Sequence, residues 1–344
     1  MGLCIDMAAI AANWRALADL APGARPGAVV KADAYGLGAA RVAPALYAAG
    51  ARDFFVALAA EGRAIRPLLP DDARIFVLSG HMPRARLDGL IPVLNSAEQF
   101  FRDRALRPRG AFAIQLDTGM NRLGMEPAEW AAVAPDALAA HTDAGTGPAL
   151  VMSHLACADE PAHPANAVQL AEFNRLTQGI GAPRSLAATG GILLGRDYHF
   201  DLTRPGIGLY GGAPFAAAQP VVTLSLEVIQ TRSVGPGECV GYGCAWTPAR
   251  PSRIATVAGG YADGLLRALS GRAAVLWAGD RPCPIVGRVS MDLITVDVTD
   301  LAVVPPELEI LNPRQGVDAL AAAAGTIGYE ILTSLGGRYP RQWS

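Results

Sequence analysis

The sequence predicts an α/β protein, with an N-terminal (β/α)8 barrel of the TIM type followed by a C-terminal, mainly β domain. Three observations carry this reading. Over about the first two thirds of the chain, short β-rich runs alternate with Ala/Leu-rich amphipathic stretches, the texture of strand and crossover-helix units. From Pro220 the texture changes to short strands between Gly/Pro turns. The chain is 344 residues long, 51% apolar and only 17% charged, which is more than one ordinary core accommodates.

Taken in order, strands are expected at 28–30, 54–56, 74–78, 91–93, 111–116 and 149–152, where apolar, β-branched and aromatic residues run together. Between them, apolar residues recur at helical spacing over 8–20, 39–49, 97–106, 127–140 and 165–180. About seven or eight such alternations fit a barrel, with a doubly wound sheet as the alternative. Further strands are expected at 221–233, 253–258, 273–277, 283–289 and 293–298, and a late helix at 317–324. The boundary falls near Phe215, giving domains 1–215 and 216–344. No internal repeat or low-complexity tail interrupts this plan.

Composition narrows the function classes. A net charge of −2 with scattered arginines leaves no footprint for nucleic acid or a membrane surface. The N-terminal stretch has Asp6 before any arginine, unlike a secretory signal, and no run has the length of a membrane span. Five cysteines without a C-x-x-C pair read as reduced thiols of a cytoplasmic protein, and neither they nor the histidines form a metal pattern. Low charge and many small residues suit an obligate oligomer.

Of 29 basic residues, Lys31 alone is a lysine. Arginine replaces lysine in ion pairs, but not where a primary amine must lose its proton and attack a carbonyl. Lys31 closes an apolar strand and precedes a Gly-rich turn, the barrel rim on which such folds place chemistry. It is therefore the candidate Schiff-base lysine, with Tyr35 on the same rim; a surface lysine untouched by drift is the bland alternative. A second glycine element, Gly206, Gly208 and Gly211, matches G-x-G-x-x-G, with Glu227 downstream for a ribose. Arg204-Pro205 before it, and Gly212 and Pro214 after it, argue against a nicotinamide site. A glycine turn binding a phosphate late in a barrel is the better reading, with Thr189-Gly190-Gly191 offering a hydroxyl and amides. An amine for an aldehyde plus donors for a phosphate suits pyridoxal phosphate.

At this point seven ordered stretches coincide with one family: VVKADAYGLG (29–38), LDTGMNRLG (116–124), MSHLACADE (152–160), RPGIGLYGG (204–212), AGGYADG (258–264), GRVSMD (287–292) and YE (329–330). The chain resembles alanine racemase over essentially its whole length. The resemblance implies a pyridoxal-phosphate isomerase with Lys31 carrying the cofactor and acting as base on the D-alanine face. It implies Tyr261 as the opposing base, supplied by the partner subunit of a homodimer. Arg204 would face the pyridine nitrogen, held by His154. Arg122 would bond the cofactor's phenolic oxygen and position substrate, while Tyr35, Thr189, Gly206 and Ile207 would bind phosphate. Met291 of the partner would offer its N–H to the substrate carboxylate.

The residue types make chemical sense. Racemisation removes the α-hydrogen from one face and returns a proton on the other, so two opposed bases are the minimal apparatus. An arginine gives the ring nitrogen no useful proton, which limits electron withdrawal and favours racemisation over transamination and decarboxylation. The chain also departs from its relatives. Many carry a carbamylated lysine where Gln115 stands, so the expectation is an Arg122 held by Gln115. Ala188-Thr189 replaces a frequent Asn-Ser, and Gly337 stands where some relatives have a phosphate-binding tyrosine, with Tyr339 two residues on. The implied role is D-alanine supply for the cell wall. A serine or broad-specificity racemase, and a non-catalytic pyridoxal-phosphate carrier on the same barrel, are the other readings.

Overall fold

The computed structural model describes residues 2–344 in two compact units. One comprises Ala11–Leu209 with Pro214–Ala217; the other comprises the segment up to Ile10, Tyr210–Ala213 and Ala218–Ser344.

The first unit is a closed parallel barrel. Strands Ala28–Val29, Asp53–Val56, Arg74–Val77, Ile91–Leu94, Ala113–Gln115, Val151–Met152 and Arg184–Ser185 pair in that order, each parallel to the next. Leu202–Thr203 closes the ring, pairing with Arg25–Pro26 on one side and reaching Ala187 through the Arg204 N–H on the other. Strands covered on both faces read as continuous apolar runs, and Phe54, Phe55, Ile75, Phe76 and Val77 are all fully buried. Phe55 and Phe76 stack across adjacent strands with centroids 4.9 Å apart. Asp53 is buried within this wall because Arg74 and Arg25 neutralise it.

Crossover helices include Ala39–Ala49, Ala59–Ile65, Ala97–Leu106, Pro127–Ala139 and Ala165–Leu176. Regularity fails once, since 78–90 joins Arg74–Val77 to Ile91–Leu94 without a helix. That segment carries Gly80, Pro83 and Gly89 and no apolar residues at helical period, so the chain crosses over in turns.

The second unit is built on the 13-residue strand Val222–Val234. Its first half pairs with Gly2–Ile5 and Glu307–Leu311, and from Val228 onward, across an irregularity between Val228 and Gln230, it pairs with Ser252–Ala258. Ser252–Ala258 pairs in turn with Leu293–Asp297. Gly2–Ile5 also runs parallel to Arg341–Trp343, so the two ends of the described chain share one sheet. A cut at residue 215 thus leaves the opening strand in the barrel, whereas it lies in the β unit. A four-residue strand before a helix looks the same whichever sheet it joins, and only the Leu3–Leu224 pairing decides.

The expectation of five reduced thiols needs correction. Cys239 and Cys244 form a disulfide, with Cα atoms 5.0 Å apart, while Cys4, Cys157 and Cys283 are free. Gly241 and Gly243, both at positive φ, fold the intervening residues into a turn tight enough to bring the pair into range. Among the described residues no helix is long and apolar enough to cross a membrane. Nor do three or more His, Cys, Asp or Glu side chains gather for a metal among them.

Candidate active site

Lys31, Gln115, Ser153, His154 and Arg204 all follow, or sit at, the C-terminal ends of parallel strands, and therefore share one mouth of the barrel. The backbone after Lys31 is unusual. Ala32, Asp33, Ala34 and Tyr35 have φ between 51° and 55°, a left-handed turn built from residues with side chains. Each such residue costs about 1–2 kcal/mol, so the neighbours must hold it. Glu61 does much of this: Oε1 accepts the Ala32 N–H at 2.8 Å, and Oε2 accepts those of Ala57 and Leu58. Asp33 Oδ1 accepts the Ala39 N–H at 2.7 Å and opens the next helix. The turn sets Lys31 at its head and buries Tyr35, whose hydroxyl reaches the glycine turn opposite.

That approach explains Gly206. A Cβ there would lie 2.5 Å from the Tyr35 hydroxyl, and one at Gly208 would lie 2.8 Å from the Thr189 methyl. Thr189 Oγ1 accepts the N–H groups of Gly206 and Gly208, at 3.0 and 3.3 Å, so its own proton must point elsewhere. Ile207 begins the 3₁₀ helix Ile207–Tyr210, whose first N–H groups have no partner within the helix. Tyr35, Thr189, Gly206 and Ile207 are thus brought together in one small, tightly packed cradle. The helix after the glycine turn is only this 3₁₀ turn, ended by Gly211 at φ 84°, which removes the dinucleotide reading.

Charge in the mouth is positive. Burial first, then the Arg122 cation, lowers the Lys31 amine below its usual pKa, with Glu61 opposing. Arg204 is buried, and desolvation brings its guanidinium down to about 9, so it stays charged at neutral pH. Its Nη1 donates to the Ser185 hydroxyl, and its Nη2 donates to the Ser153 carbonyl at 2.6 Å. The expected support from His154 is therefore replaced by Ser185 and backbone oxygens, residue types that sequence reasoning passed over. His154 sits half-buried between cations; burial, then Arg204, Arg122 and Lys31, push its imidazole down to about 3. A neutral ring beside Arg204 avoids placing two cations together.

The expected bond between Gln115 and Arg122 is also absent. Gln115 is buried and donates its amide to the Leu123 carbonyl at 3.0 Å. Arg122 is exposed, on a loop shaped by Asp117, whose Oδ1 accepts the N–H groups of Gly119, Met120 and Asn121. Gln169 ties that loop to the next, donating to Thr118 Oγ1 and to the His154 carbonyl.

Tyr261 and Met291 lie in the β unit, 44% and 53% exposed. They occupy two loops that leave the paired ends of Ser252–Ala258 and Leu293–Asp297. The loops are laced together by backbone: Gly259 N–H to Asp292 O at 2.8 Å, Tyr261 N–H to Ser290 O at 3.1 Å, and Ala262 N–H to Met291 O at 3.0 Å. A Cβ at Gly260 would collide with the Ser290 and Met291 carbonyl oxygens, so only glycine fits beside Tyr261.

The residues of the mouth fit pyridoxal phosphate. They offer an amine of lowered basicity for its aldehyde, a glycine cradle that side chains would fill, and cations for its anionic groups.

Comparison with known proteins gives the same answer. Residues 5–214 match the family model "Alanine racemase, N-terminal domain" and residues 221–343 match "Alanine racemase, C-terminal domain". The chain is 63% identical to an alanine racemase of Dinoroseobacter shibae, covering 99% of this chain and 97% of that protein. Among solved structures it is similar to the alanine racemase of Bartonella henselae with covalently bound pyridoxal phosphate, at 38% identity, TM-score 0.93 and 99% coverage of both chains. It also resembles the biosynthetic alanine racemase of Pseudomonas aeruginosa, at 36% identity and TM-score 0.89, covering 100% of this chain and 99% of that one.

Proposed function

Because this chain belongs to the alanine racemase family, we propose that it interconverts L- and D-alanine, with Lys31 and Tyr261 as the two bases. The observation that carries this reading is the single amine of lowered basicity, set with Arg122, Arg204 and a tight glycine cradle at the barrel mouth. Pyridoxal phosphate, when bound, supplies an aldehyde for amines and a conjugated ring that takes up the electron pair freed at the substrate α-carbon.

The remaining work falls to side chains. Lys31 Nζ exchanges the α-proton on the D-alanine face and Tyr261 Oη on the L-alanine face. Tyr35, Thr189, Gly206 and Ile207 would hold the phosphate, and His154 and Arg204 would line the ring, Arg204 on the side of its nitrogen. Arg122 orients the substrate, and the Met291 N–H receives its carboxylate. Tyr261 and Met291 come from the partner subunit of a homodimer, in keeping with the open face each presents. The enzyme works in the cytoplasm and supplies D-alanine for peptidoglycan. A non-catalytic carrier needs no second base, which counts against that alternative.

Borohydride reduction of the holoenzyme should label Lys31, and Tyr261→Phe should lose about 10²–10⁴-fold in racemisation. Full activity of Tyr261→Phe in both directions would end the two-base reading. Mixing inactive Lys31→Ala and Tyr261→Phe subunits tests site sharing. If each site takes its bases from two chains, the mixture recovers about a quarter of wild-type activity, since about half the dimers are mixed and each carries one intact site. No recovery would place both bases in one subunit.

A further inference from the structure

We propose that Arg338 is a positioning residue for proton transfer, clamping the Tyr261 loop to the Met291 loop of the same chain. It thereby fixes the spacing between the base and the N–H that receives the substrate carboxylate. This rests on the roles of Tyr261 and Met291 given above and extends them to the C-terminal tail.

Arg338 bridges two carboxylates. Its Nε lies 3.1 Å from Asp263 Oδ1, and its Nη1 donates to Asp292 Oδ1 at 2.7 Å. Asp263 is two residues after Tyr261, and Asp292 immediately follows Met291. The other oxygen of Asp263, Oδ2, accepts the Gly260 N–H at 3.0 Å, one residue before Tyr261. A single guanidinium is therefore joined by an ion pair to Asp263, which holds the residue before Tyr261, and by a hydrogen bond to Asp292, the residue after Met291. The Gly336 N–H donates to the Asp263 carbonyl at 3.1 Å and brings the tail alongside.

Half-exposed ion pairs contribute little on their own, and this one matters because of what it neutralises. The Asp263 side chain is 1% exposed, whereas those of Arg338 and Asp292 are each 52% exposed. Buried Tyr339 stands close by, its phenol pushed up by burial and by the Asp263 charge. Without Arg338, Asp263 is a buried carboxylate with a phenol for company, a state relieved by swinging outward. That movement disturbs the Gly260 bond and hence Tyr261. Lysine offers one point charge where arginine offers a fork, so it spans only one of the two carboxylates.

The test uses the holoenzyme and the variants Arg338→Met, Arg338→Lys, Asp292→Asn and Tyr261→Phe, with three readouts. These are racemisation, exchange of the D-alanine α-hydrogen in D2O without inversion, and backbone amide exchange over 259–264 and 288–292. Exchange without inversion needs Lys31 alone, so it registers general damage but not a misplaced Tyr261. Arg338→Met should lower racemisation about 10–100-fold while leaving D-alanine exchange within about twofold, and amide exchange should quicken in both loops. Arg338→Lys should restore part of the racemisation, and Asp292→Asn, which leaves the buried arm intact, should lose less than Arg338→Met. Racemisation and D-alanine exchange falling together, unchanged racemisation, or unchanged amide protection would each overturn the clamp. Tyr261→Phe separates the two ideas. If it racemises at the wild-type rate, the base assignment and the clamp fall together; if it is inactive while Arg338→Met is not, only the clamp falls.

Discussion

The barrel mouth and the pair of loops carrying Tyr261 and Met291 hold their functional groups by opposite means. In the mouth, left-handed backbone is forced on Ala32, Asp33, Ala34 and Tyr35, and cations are taken out of water: Arg204 is buried and Lys31 is shifted by burial. In the Tyr261 loop, glycine bears the positive φ, 144° at Gly259 and 88° at Gly264, and Tyr261 and Met291 stay largely exposed on a laced backbone. A group whose proton affinity must change needs a costly environment, with Glu61 and the serine hydroxyls to hold it. Tyr261 and Met291, in their proposed roles, need only a rigid platform and an open face.

The sharpest way to break that contrast is Lys31→Arg, which keeps the charge and removes the amine. It should cost at least about a thousandfold in racemisation and abolish borohydride labelling, with the circular dichroism spectrum unchanged. Turnover near the wild-type rate would mean that the environment of Lys31 serves something other than imine chemistry.

One substitution made in both regions then tells them apart. Gly206→Ala places a methyl against the Tyr35 hydroxyl and should weaken cofactor binding by roughly ten- to a hundredfold, with racemisation largely regained at saturating cofactor. Gly260→Ala drives the same methyl into two carbonyl oxygens. It should leave cofactor affinity alone, lower kcat, and destabilise the fold by about 1–3 kcal/mol in denaturant titrations. Interchanged outcomes would reverse the assignment of cradle and platform.

The smallest expected effect concerns His154. Its folded pKa of about 3 lies below the ordinary 6.5, so between these values the unfolded chain binds the extra proton. Its contribution is complete above pH 6.5 and declines as pH falls toward 3. His154→Asn should therefore flatten the loss of stability between pH 6.5 and pH 5 by up to about 1.4 kcal/mol per pH unit. Equal slopes in denaturant titrations would show an imidazole that protonates freely in the folded state.

Much of this site could be read before any coordinate. Strand–helix alternation gave the barrel, the lone lysine marked its mouth, and ordered glycine motifs indicated the tight turns at Gly206 and around Tyr261. Those signals are local, depending on periodicity, on the one primary amine and on turns that only glycine fits. Partners brought together from distant segments were not legible. Ser185 and Ser153 support Arg204 where His154 was expected, and Gln115 reaches Leu123 instead of Arg122. A hydroxyl or a carbonyl oxygen serves as acceptor in almost any context, so its sequence position says nothing about which donor it will meet.

By itself, then, the amino-acid sequence determined the fold class and the cofactor chemistry, because each requires particular residue types in a particular order. Tertiary structure alone decided the strained turn behind Lys31, the placement of the opening strand with the tail, and the bridge from Arg338 to Asp263 and Asp292. These depend on register and on where burial removes water from a charge, and both come into being only when remote segments pack.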